Sequence, residues 1–384
     1  MKYFVIAGEA SGDLHAGRLI AALRNADPAA EFRFLGGDFM EQAAGVPPVI
    51  HYKRMAYMGF GEVVRHLPEI LGFMRMAKDA IREFHPDALV LVDYPSFNLK
   101  MAKFAKLIGI PVYYYISPKV WAWKEHRVKA IKRYVRRVYS ILPFEVDFFA
   151  GHGYEVTYTG NPTVNEIAEA RKAFPGKDEF LRAHGIADRR QILALLPGSR
   201  LSEIKSNLPL MAEAAGRYPE YQAIVAGAPN VDAEVYRDAL SGMADLPVVY
   251  DATYALVANA AAALVTSGTA TLETAVIGTP QVVCYRHSGS RLFYAVFKHV
   301  LKVPFVSLPN LIAGKAVVPE LLLHKCTADS IAHELRKLLG ETDERRTMLD
   351  GYRQMSARLG ENDSAGETAK LLVEDLKHLK EGKA

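Results

Sequence analysis

Small and polar residues follow several apolar segments of this sequence, at the points where helical spacing begins. The segment 264–280, LVTSGTATLETAVIGTP, starts as an apolar strand and passes through Ser267, Gly268 and Thr269 before helical spacing resumes with one carboxylate, Glu273. Small side chains let a ligand approach the backbone, and the first N–H groups of a helix have no acceptor inside it. The segment predicts an anion site at a helix N-terminus, and an ordinary N-capped helix is the alternative interpretation.

Three further strand ends in the second half carry residues suited to a phosphate ligand. LLPGSR places Ser199 and Arg200 between a strand and a helix, and an arginine can bind phosphate oxygens in pairs. Gly227 closes YQAIVAG, where a side chain would block a ring or a ribose, and Arg286 follows QVVCY. Each feature alone is explained by an ordinary turn. Together they predict one phosphate-bearing ligand whose hydroxyls Glu273 reaches.

Polar residues also end strands in the first half. VLVDYPSFN closes an apolar strand with Asp93, and a carboxylate there could act as a general base on a hydroxyl. Capping of the next helix is the alternative role, although Ser96 and Asn98 can also supply it. Asp13 of GEASGD has the same structural alternative at its own helix start, and the tryptophans of SPKVWAWK could belong to the core. The residues predicted to line a cleft in this half are Glu9, Ser11, Gly12, Asp13, Asn98, Ser117 and Trp121.

A Met- and Phe-rich set lies among basic residues between positions 52 and 77. Core packing is one interpretation, and an exposed surface for an acyl chain or a membrane is the other. The segment 119–137 holds eight Lys or Arg against one acid, which favours a solvated face or contact with anionic lipid headgroups. The residues predicted for this surface are Met55, Met58, Phe60, Phe73, Met74, Lys129 and Arg133.

Alternating strands and helices must position these residues. Short segments that are apolar almost throughout, separated by helical patterns, predict parallel sheets covered on both faces. The alternation breaks over 159–190 and then restarts, so the sequence predicts an α/β chain of two Rossmann-like domains with a cleft between them. Ligands of open α/β sheets bind at the carboxyl ends of the strands, where the residues above stand.

Composition excludes several classes of function. The chain has 384 residues, half of them hydrophobic, and its net charge is 47 − 43 = +4, which does not favour nucleic acid as a partner. G-x-x-x-x-G-K-[ST] and G-x-G-x-x-G are absent, which disfavours nucleotide hydrolysis and nicotinamide chemistry. The two cysteines do not suit a disulfide framework or a metal site, so a reducing cytoplasm is expected. We expect no metal, no membrane span and no signal peptide.

The motifs AGEASGD, SPKVWAWK, LLPGSR, TSGTATLE and SLPNLIAG, in this order and spacing, closely resemble the lipid-A-disaccharide synthase family over about residues 3–325. The resemblance implies the GT-B architecture, with an acceptor domain over 1–165, a UDP-sugar domain over 166–364, and a C-terminal helix over 365–384 packed back on the first domain. It implies transfer from UDP-2,3-diacylglucosamine to the 6-hydroxyl of 2,3-diacylglucosamine 1-phosphate (lipid X) with inversion, and no cofactor. Asp93 matches the family's base, and Asn310 joins the UDP-binding residues named above.

The resemblance also implies a peripheral enzyme on the cytoplasmic face of the inner membrane of a Gram-negative bacterium, and a homodimer is compatible with it. Three positions depart from the family pattern: Ser96 and Asn165 replace aspartates, and Asn161 replaces a histidine. An acid–base role at the two asparagines is therefore in doubt, which leaves Asp93 as the better candidate. The alternatives are a UDP-sugar 2-epimerase of similar fold and a non-catalytic binder of nucleotide or lipid at a membrane surface.

Overall fold

The computed structural model describes residues 1–55, 67–121, 125–286 and 304–382. The chain divides into two units: Met1–Pro162 together with the stretch from Glu361 onward, and Thr163–Gly360. Each unit is built on one sheet whose strands all pair in parallel. The predicted α/β class with two parallel sheets is confirmed.

The first unit contains a seven-stranded sheet in the order β3-β2-β1-β4-β5-β6-β7. Its strands are β1 (Lys2–Ala7), β2 (Glu31–Gly36), β3 (Ile50–His51), β4 (Ala88–Val92), β5 (Val112–Tyr115), β6 (Arg137–Ser140) and β7 (Thr157–Tyr158). Its helices are α1 (Ala10–Ala26), α2 (Asp38–Ala44), α3 (Leu67–Phe84), α4 (Pro95–Leu107), α5 (Val128–Tyr134) and α6 (Phe144–Gly151). Helix α7 (Pro162–Arg171) begins at the boundary between the units.

The central strands β1, β4 and β5 of this sheet are apolar almost throughout because both of their faces are covered. Phe4 and Ile6 of β1 enter one core cluster, whereas Tyr3 and Val5 enter the cluster on the opposite face. All five residues of β4 are buried. A strand with one solvated face would instead alternate apolar and polar residues.

The second unit contains a six-stranded sheet in the order β10-β9-β8-β11-β12-β13. Its strands are β8 (Gln191–Leu196), β9 (Tyr221–Gly227), β10 (Val248–Tyr250), β11 (Ala260–Thr266), β12 (Gln281–Tyr285) and β13 (Glu320–Leu322). Its helices after α7 are α8 (Lys177–Ala183), α9 (Leu201–Ala215), α10 (Ala233–Ala239), α11 (Thr253–Ala258), α12 (Thr269–Ile277), α13 (Leu308–Ala313), α14 (Ala328–Arg336) and α15 (Asp343–Leu359).

The C-terminal helix α16 (Ser364–Lys380) packs on the first unit. Its apolar face joins the core cluster that includes α1, through Ala369, Leu372 and Val373. Asp375 of the same helix accepts a hydrogen bond from Arg136 Nε at 2.6 Å, and this partly buried pair ties α16 to the start of β6.

Candidate active site

In each sheet, successive strands are added on one side of a central strand and then on its other side. The predicted polar residues follow the strands that meet at this point. In the first unit, β1 lies between β2 and β4, and Ala7 pairs with Val92, so Glu9 and Asp93 follow adjacent strand ends. In the second unit, β8 lies between β9 and β11, and Leu196 pairs with Val265. These are the topological switch points at which open α/β sheets bind ligands.

Asp93 stands on a strained turn between β4 and α4. Asp93 and Tyr94 have φ of 43° and 48°, a left-handed conformation that costs non-glycine residues about 1–3 kcal/mol each. Hydrogen bonds hold the turn: the Asp93 N–H donates to Ile116 O at 3.2 Å, and its carbonyl accepts from Asn98 Nδ2 at 2.8 Å. A Cβ at Gly8 would stand 2.2 Å from Tyr94 Cγ, so the residue that follows β1 must be glycine for this turn to pack.

The environment of Asp93 favours a carboxyl that accepts a proton near neutral pH. Burial and the adjacent Glu9 carboxyl raise the pKa of Asp93 to about 6, while the Lys119 ammonium and the Tyr94 backbone act in the opposite direction. Glu9 is the N-cap residue of α1 and accepts a hydrogen bond from Ser11 Oγ at 3.3 Å. Glu9 and Asp93 therefore form a pair of carboxyls at one switch point.

Two of the other residues predicted to line a cleft in the first unit have structural roles. Asp13 is buried, and its carboxylate accepts the backbone N–H groups of Gly37, Phe39 and Met40 at 2.7–3.2 Å, so it fastens the start of α2. Asn98 is buried and supports the Asp93 turn. Both side chains are buried and serve the protein's own backbone, and their place in a cleft stays a prediction.

Gly12 is also buried, and a Cβ added at this position would stand 3.4 Å from the Cβ of Ala7 in β1. Asn161, where the family pattern has histidine, is buried and donates to Ile141 O at 2.8 Å. Ser96 lies at the exposed start of α4 and accepts from Arg127 Nη2 at 3.0 Å.

Ser117 and Trp121 surround a buried carboxyl that sequence reasoning missed. Glu145 Oε1 accepts hydrogen bonds from Ser117 Oγ at 3.0 Å and Trp121 Nε1 at 2.9 Å, and Oε2 accepts from Ser140 Oγ. Burial raises the pKa of Glu145 to about 7, against these three hydrogen bonds and the charge of Lys119. Ser117 and Trp121 are themselves buried, and their place in a cleft stays a prediction. A glutamate amid the apolar ILPFEVDFF was the available signal.

The predicted Met/Phe surface is largely core. Met55, Phe73 and Met74 are buried in a core cluster of the first unit, because the apolar face of α3 packs inward. Met58 and Phe60 lie outside the described residues. The exposed large apolar side chains of α3 are instead Leu71 and Met76. The basic residues predicted for this surface, Lys129 and Arg133, are exposed on α5.

Arg200 presents an exposed cation after β8. It is the N-cap residue of α9, and its side chain is 68% exposed, with Nη1 3.6 Å from Glu203 Oε1. Glu203 Oε2 accepts the backbone N–H groups of Ser199 at 3.3 Å and Arg200 at 3.4 Å. Gly198 has φ of 104°, and a Cβ there would stand 2.5 Å from Glu203 Oε2. The turn is therefore ordered, while the guanidinium remains accessible to an anion.

The first turn of α12 faces solvent beside β11. Gly268 is its N-cap residue, and both Gly268 and Thr269 are exposed, while Ser267 is half-buried and donates its N–H to Cys284 O at 3.2 Å. One turn further, burial raises the pKa of Glu273 to about 7, opposed by a hydrogen bond from Tyr254 Oη at 3.3 Å. A carboxyl that is partly protonated at neutral pH can both donate to and accept from a hydroxyl.

Three other residues predicted to bind the nucleotide have partners within the second unit. A Cβ at Gly227 would stand 2.5 Å from Tyr250 Cε1, so this glycine makes room for a ring of the protein, and its role beside a ligand ring stays a prediction. Asn310 is buried, and its amide bonds Glu320 and the backbone of Val318, while its role as a ligand contact stays a prediction. Arg286 is exposed and donates from Nη1 to Cys326 O at 2.9 Å.

Among the residues that the structure describes, no three His, Cys, Asp or Glu side chains lie close enough together to hold a metal ion. The charged groups at the switch point of the second unit are instead Arg200 and Glu203.

Two solved structures share the fold of this chain. The UDP-GlcNAc 2-epimerase of Neisseria meningitidis, solved with UDP-GlcNAc, has a TM-score of 0.66 at 14% identity and covers 98% of this chain and 100% of its own. The glycotransferase of kitacinnamycin has a TM-score of 0.62 at 14% identity, with 98% and 99% covered. At such identity the likeness shows the fold alone, the GT-B fold.

Sequence relatives then identify the family. The model of the lipid-A-disaccharide synthetase family matches residues 3–373, and this chain belongs to that family. The lipid-A-disaccharide synthase of Myxococcus xanthus is 40% identical over 378 residues, 97% of each chain. That of Nitrosococcus oceani is 39% identical over 361 residues, covering 93% of this chain and 92% of its own.

Proposed function

We propose that this protein is an inverting glycosyltransferase of lipid A biosynthesis, a lipid-A-disaccharide synthase. The donor is UDP-2,3-diacylglucosamine and the acceptor is 2,3-diacylglucosamine 1-phosphate. The products are a β-1′,6-linked disaccharide 1-phosphate and UDP. In a chain of this family, the observation that carries the proposal is the strained, largely buried Asp93 at a switch point, with its pKa raised to about 6.

Asp93 acts as the general base. Its carboxylate takes the proton of the acceptor 6-hydroxyl while that oxygen bonds to the anomeric carbon of the donor. The bond from this carbon to the β-phosphate oxygen breaks, and UDP leaves with the bonding electrons. One displacement from the opposite face turns the α-linked donor into a β-linked product. A pKa of about 6 suits this role, because the group is ionised at neutral pH yet still basic.

Residues of the second unit bind the nucleotide. The exposed Arg200 guanidinium and the backbone N–H groups at Gly268 and Thr269 stabilise the negative charge of the diphosphate as UDP leaves. Glu273 bonds the ribose hydroxyls, and Arg286 is a second cation of this surface. Glu203 orders the turn that carries Arg200.

The enzyme works at the cytoplasmic face of the inner membrane, where its lipid substrates reside. Leu71 and Met76 expose apolar surface on α3, and Lys129 and Arg133 expose positive charge on α5, a combination suited to anionic lipid. No helix among the described residues is long and apolar enough to cross a membrane. A homodimer and a cleft between the two units stay predictions.

The decisive assay mixes the two lipid substrates with enzyme and measures UDP release and disaccharide. Wild type should form both products in equal amounts, and Asp93→Ala should form neither while still binding UDP. Wild-type turnover by Asp93→Ala would exclude Asp93 as the base. UDP-N-acetylglucosamine alone tests the epimerase alternative, because conversion to the 2-epimer would contradict the transferase. Binding of both substrates without turnover by wild type would favour the non-catalytic binder.

A further inference from the structure

Glu145 is a deeply buried carboxyl near the carboxyl edge of the first sheet, and the reaction above does not use it. It lies in the first turn of α6, directly after β6, and is 1% exposed. Three side-chain donors on two segments converge on its two oxygens: Ser117 and Trp121 after β5, and Ser140 at the end of β6. A buried carboxylate held by several neutral donors orders the segments that supply them.

The segment that Glu145 holds also carries Lys119. Ser117 and Trp121 are buried on either side of it, whereas the Lys119 side chain is exposed. Val92 of β4 pairs with Tyr115 of β5, and the Asp93 N–H donates to Ile116 O at 3.2 Å, so Lys119 follows the strand end that borders the Asp93 turn. Its positive charge lowers the pKa of Asp93 and of Glu145. Trp121 is fixed further by edge-on packing against Phe144, with 4.9 Å between ring centroids. The hydrogen bonds at both ends of the segment therefore restrict where the cation between them can stand.

We propose that Glu145 is a positioning residue of the Asp93 site: it holds Ser117–Trp121 in the conformation that keeps the Lys119 ammonium beside the Asp93 carboxyl. Glu145 touches neither substrate in this role and acts through Lys119. The inference rests on the proposed function for its kinetic readout, because that readout is the ionisation of Asp93.

The pH profile of kcat/KM separates positioning from a merely structural role. The groups that face Asp93 are Glu9, Lys119 and, at its backbone carbonyl, the Tyr114 hydroxyl. Because Lys119 lowers the pKa of Asp93, releasing the segment should raise that pKa. The acid limb of the kcat/KM profile, where activity falls as Asp93 is protonated, should then move to higher pH. We expect Glu145→Ala to move the limb by about 0.5–1 pH unit, which lowers kcat/KM at pH 6 by about 2- to 5-fold.

A double-mutant cycle tests the route through Lys119. Lys119→Ala should move the limb in the same direction, and Lys119→Ala with Glu145→Ala should move it no further than Lys119→Ala alone. Asp147→Ala is the matched control, since Asp147 is an exposed carboxylate in the same first turn of α6 and should leave the limb in place. Additive shifts, or an unmoved limb in a folded Glu145→Ala protein, would overturn the proposal.

Trp121 provides a readout that does not depend on activity. In a Trp123→Phe background Trp121 is the one remaining tryptophan, and its indole N–H bonds Glu145. Its fluorescence should titrate with a midpoint of about 7, the pKa of Glu145, and the titration should vanish in Glu145→Gln. Glu145→Gln keeps an acceptor for Trp121 and Ser117, so it should restore most of the activity lost in Glu145→Ala.

These outcomes distinguish the two proposals. Turnover by Asp93→Ala refutes Asp93 as the base and leaves the Trp121 titration to report on Glu145. An inactive Asp93→Ala, combined with an unmoved limb in Glu145→Ala, refutes only the positioning role. Failure of Glu145→Gln to recover activity, in a protein with a wild-type melting temperature, would also count against positioning by hydrogen bonds.

Discussion

Glu9 and Asp93 follow the paired ends of β1 and β4, and the charge of Glu9 raises the pKa of Asp93. Two neighbouring carboxyls cannot both ionise freely, and this proximity adds to burial in raising the pKa of Asp93 to about 6. Since the folded-state pKa of Asp93 exceeds its unfolded value, ionisation of this group reduces stability as the pH rises through about 6. The strand pairing therefore sets the proton affinity of the proposed base at some cost in stability.

Glu9→Gln should move the acid limb of kcat/KM to lower pH. The substitution removes the negative charge that raises the pKa of Asp93, and burial alone then keeps it above its ordinary value. We expect a downward shift of about 0.5–1 pH unit, measured from pH 4.5 to 8 with both lipid substrates. Glu41→Gln, an exposed glutamate on α2, is the control. An upward shift would contradict the assigned coupling between the two carboxyls.

Arg200→Ala should weaken UDP binding by about 1.5–3 kcal/mol, the usual range for a lost hydrogen bond to a charged group. The side chain is exposed in the free protein, so its removal leaves no buried partner unsatisfied and stability should change little. Isothermal titration with UDP and with uridine separates the contributions, because uridine lacks the diphosphate. Arg182→Ala, on α8, is the matched control. If Arg200→Ala lost the same binding affinity for UDP as for uridine, Arg200 would not contact the diphosphate.

Glu273→Ala should reduce the preference for UDP over 2′,3′-dideoxy-UDP. If Glu273 bonds the ribose hydroxyls, wild type loses affinity when these hydroxyls are removed from the ligand. The variant already lacks this interaction, so its affinity should change little. We expect the wild-type ratio of dissociation constants to exceed that of the variant by about tenfold, which corresponds to about 1.4 kcal/mol. Glu234→Ala, an exposed glutamate on α10, should keep the wild-type ratio. The same ratio in Glu273→Ala would argue against ribose contact.

Asp13→Ala should lower the free energy of unfolding by about 2–4 kcal/mol, because it leaves buried N–H groups at the start of α2 without their acceptor. Denaturant unfolding measures the loss, and UDP affinity should stay unchanged since Asp13 belongs to the first unit. Asp38 is an exposed aspartate at the start of α2 itself, and Asp38→Ala should change stability much less. If the Asp13→Ala protein is as stable as wild type but no longer binds the acceptor, Asp13 has a role in ligand binding and not in stability.

Local sequence was enough to predict the strands and the residues that follow them. A parallel strand covered on both faces is apolar at nearly every position, so β1, β4 and β8 are visible as short apolar runs without any long-range information. A polar residue that ends such a run, such as Asp93, stands at the edge of the sheet where ligands bind. The family motifs are likewise local strings, which is why the sequence resemblance and the family comparison agree.

Side-chain partners were decided by the tertiary structure. Met55, Phe73 and Met74 form an apolar set in sequence, but the packing of α3 determined that their surface is covered. Gly227 leaves room for Tyr250, which belongs to the neighbouring strand β10, and no local pattern reveals that contact. Glu145 resembles an ordinary acid in a helical first turn. Only the adjacency of β5 and β6 brings Ser117, Trp121 and Ser140 around it. Burial on a strand and the cap of a helix depend on near neighbours in the chain, whereas the environment of a carboxyl depends on which strands lie side by side.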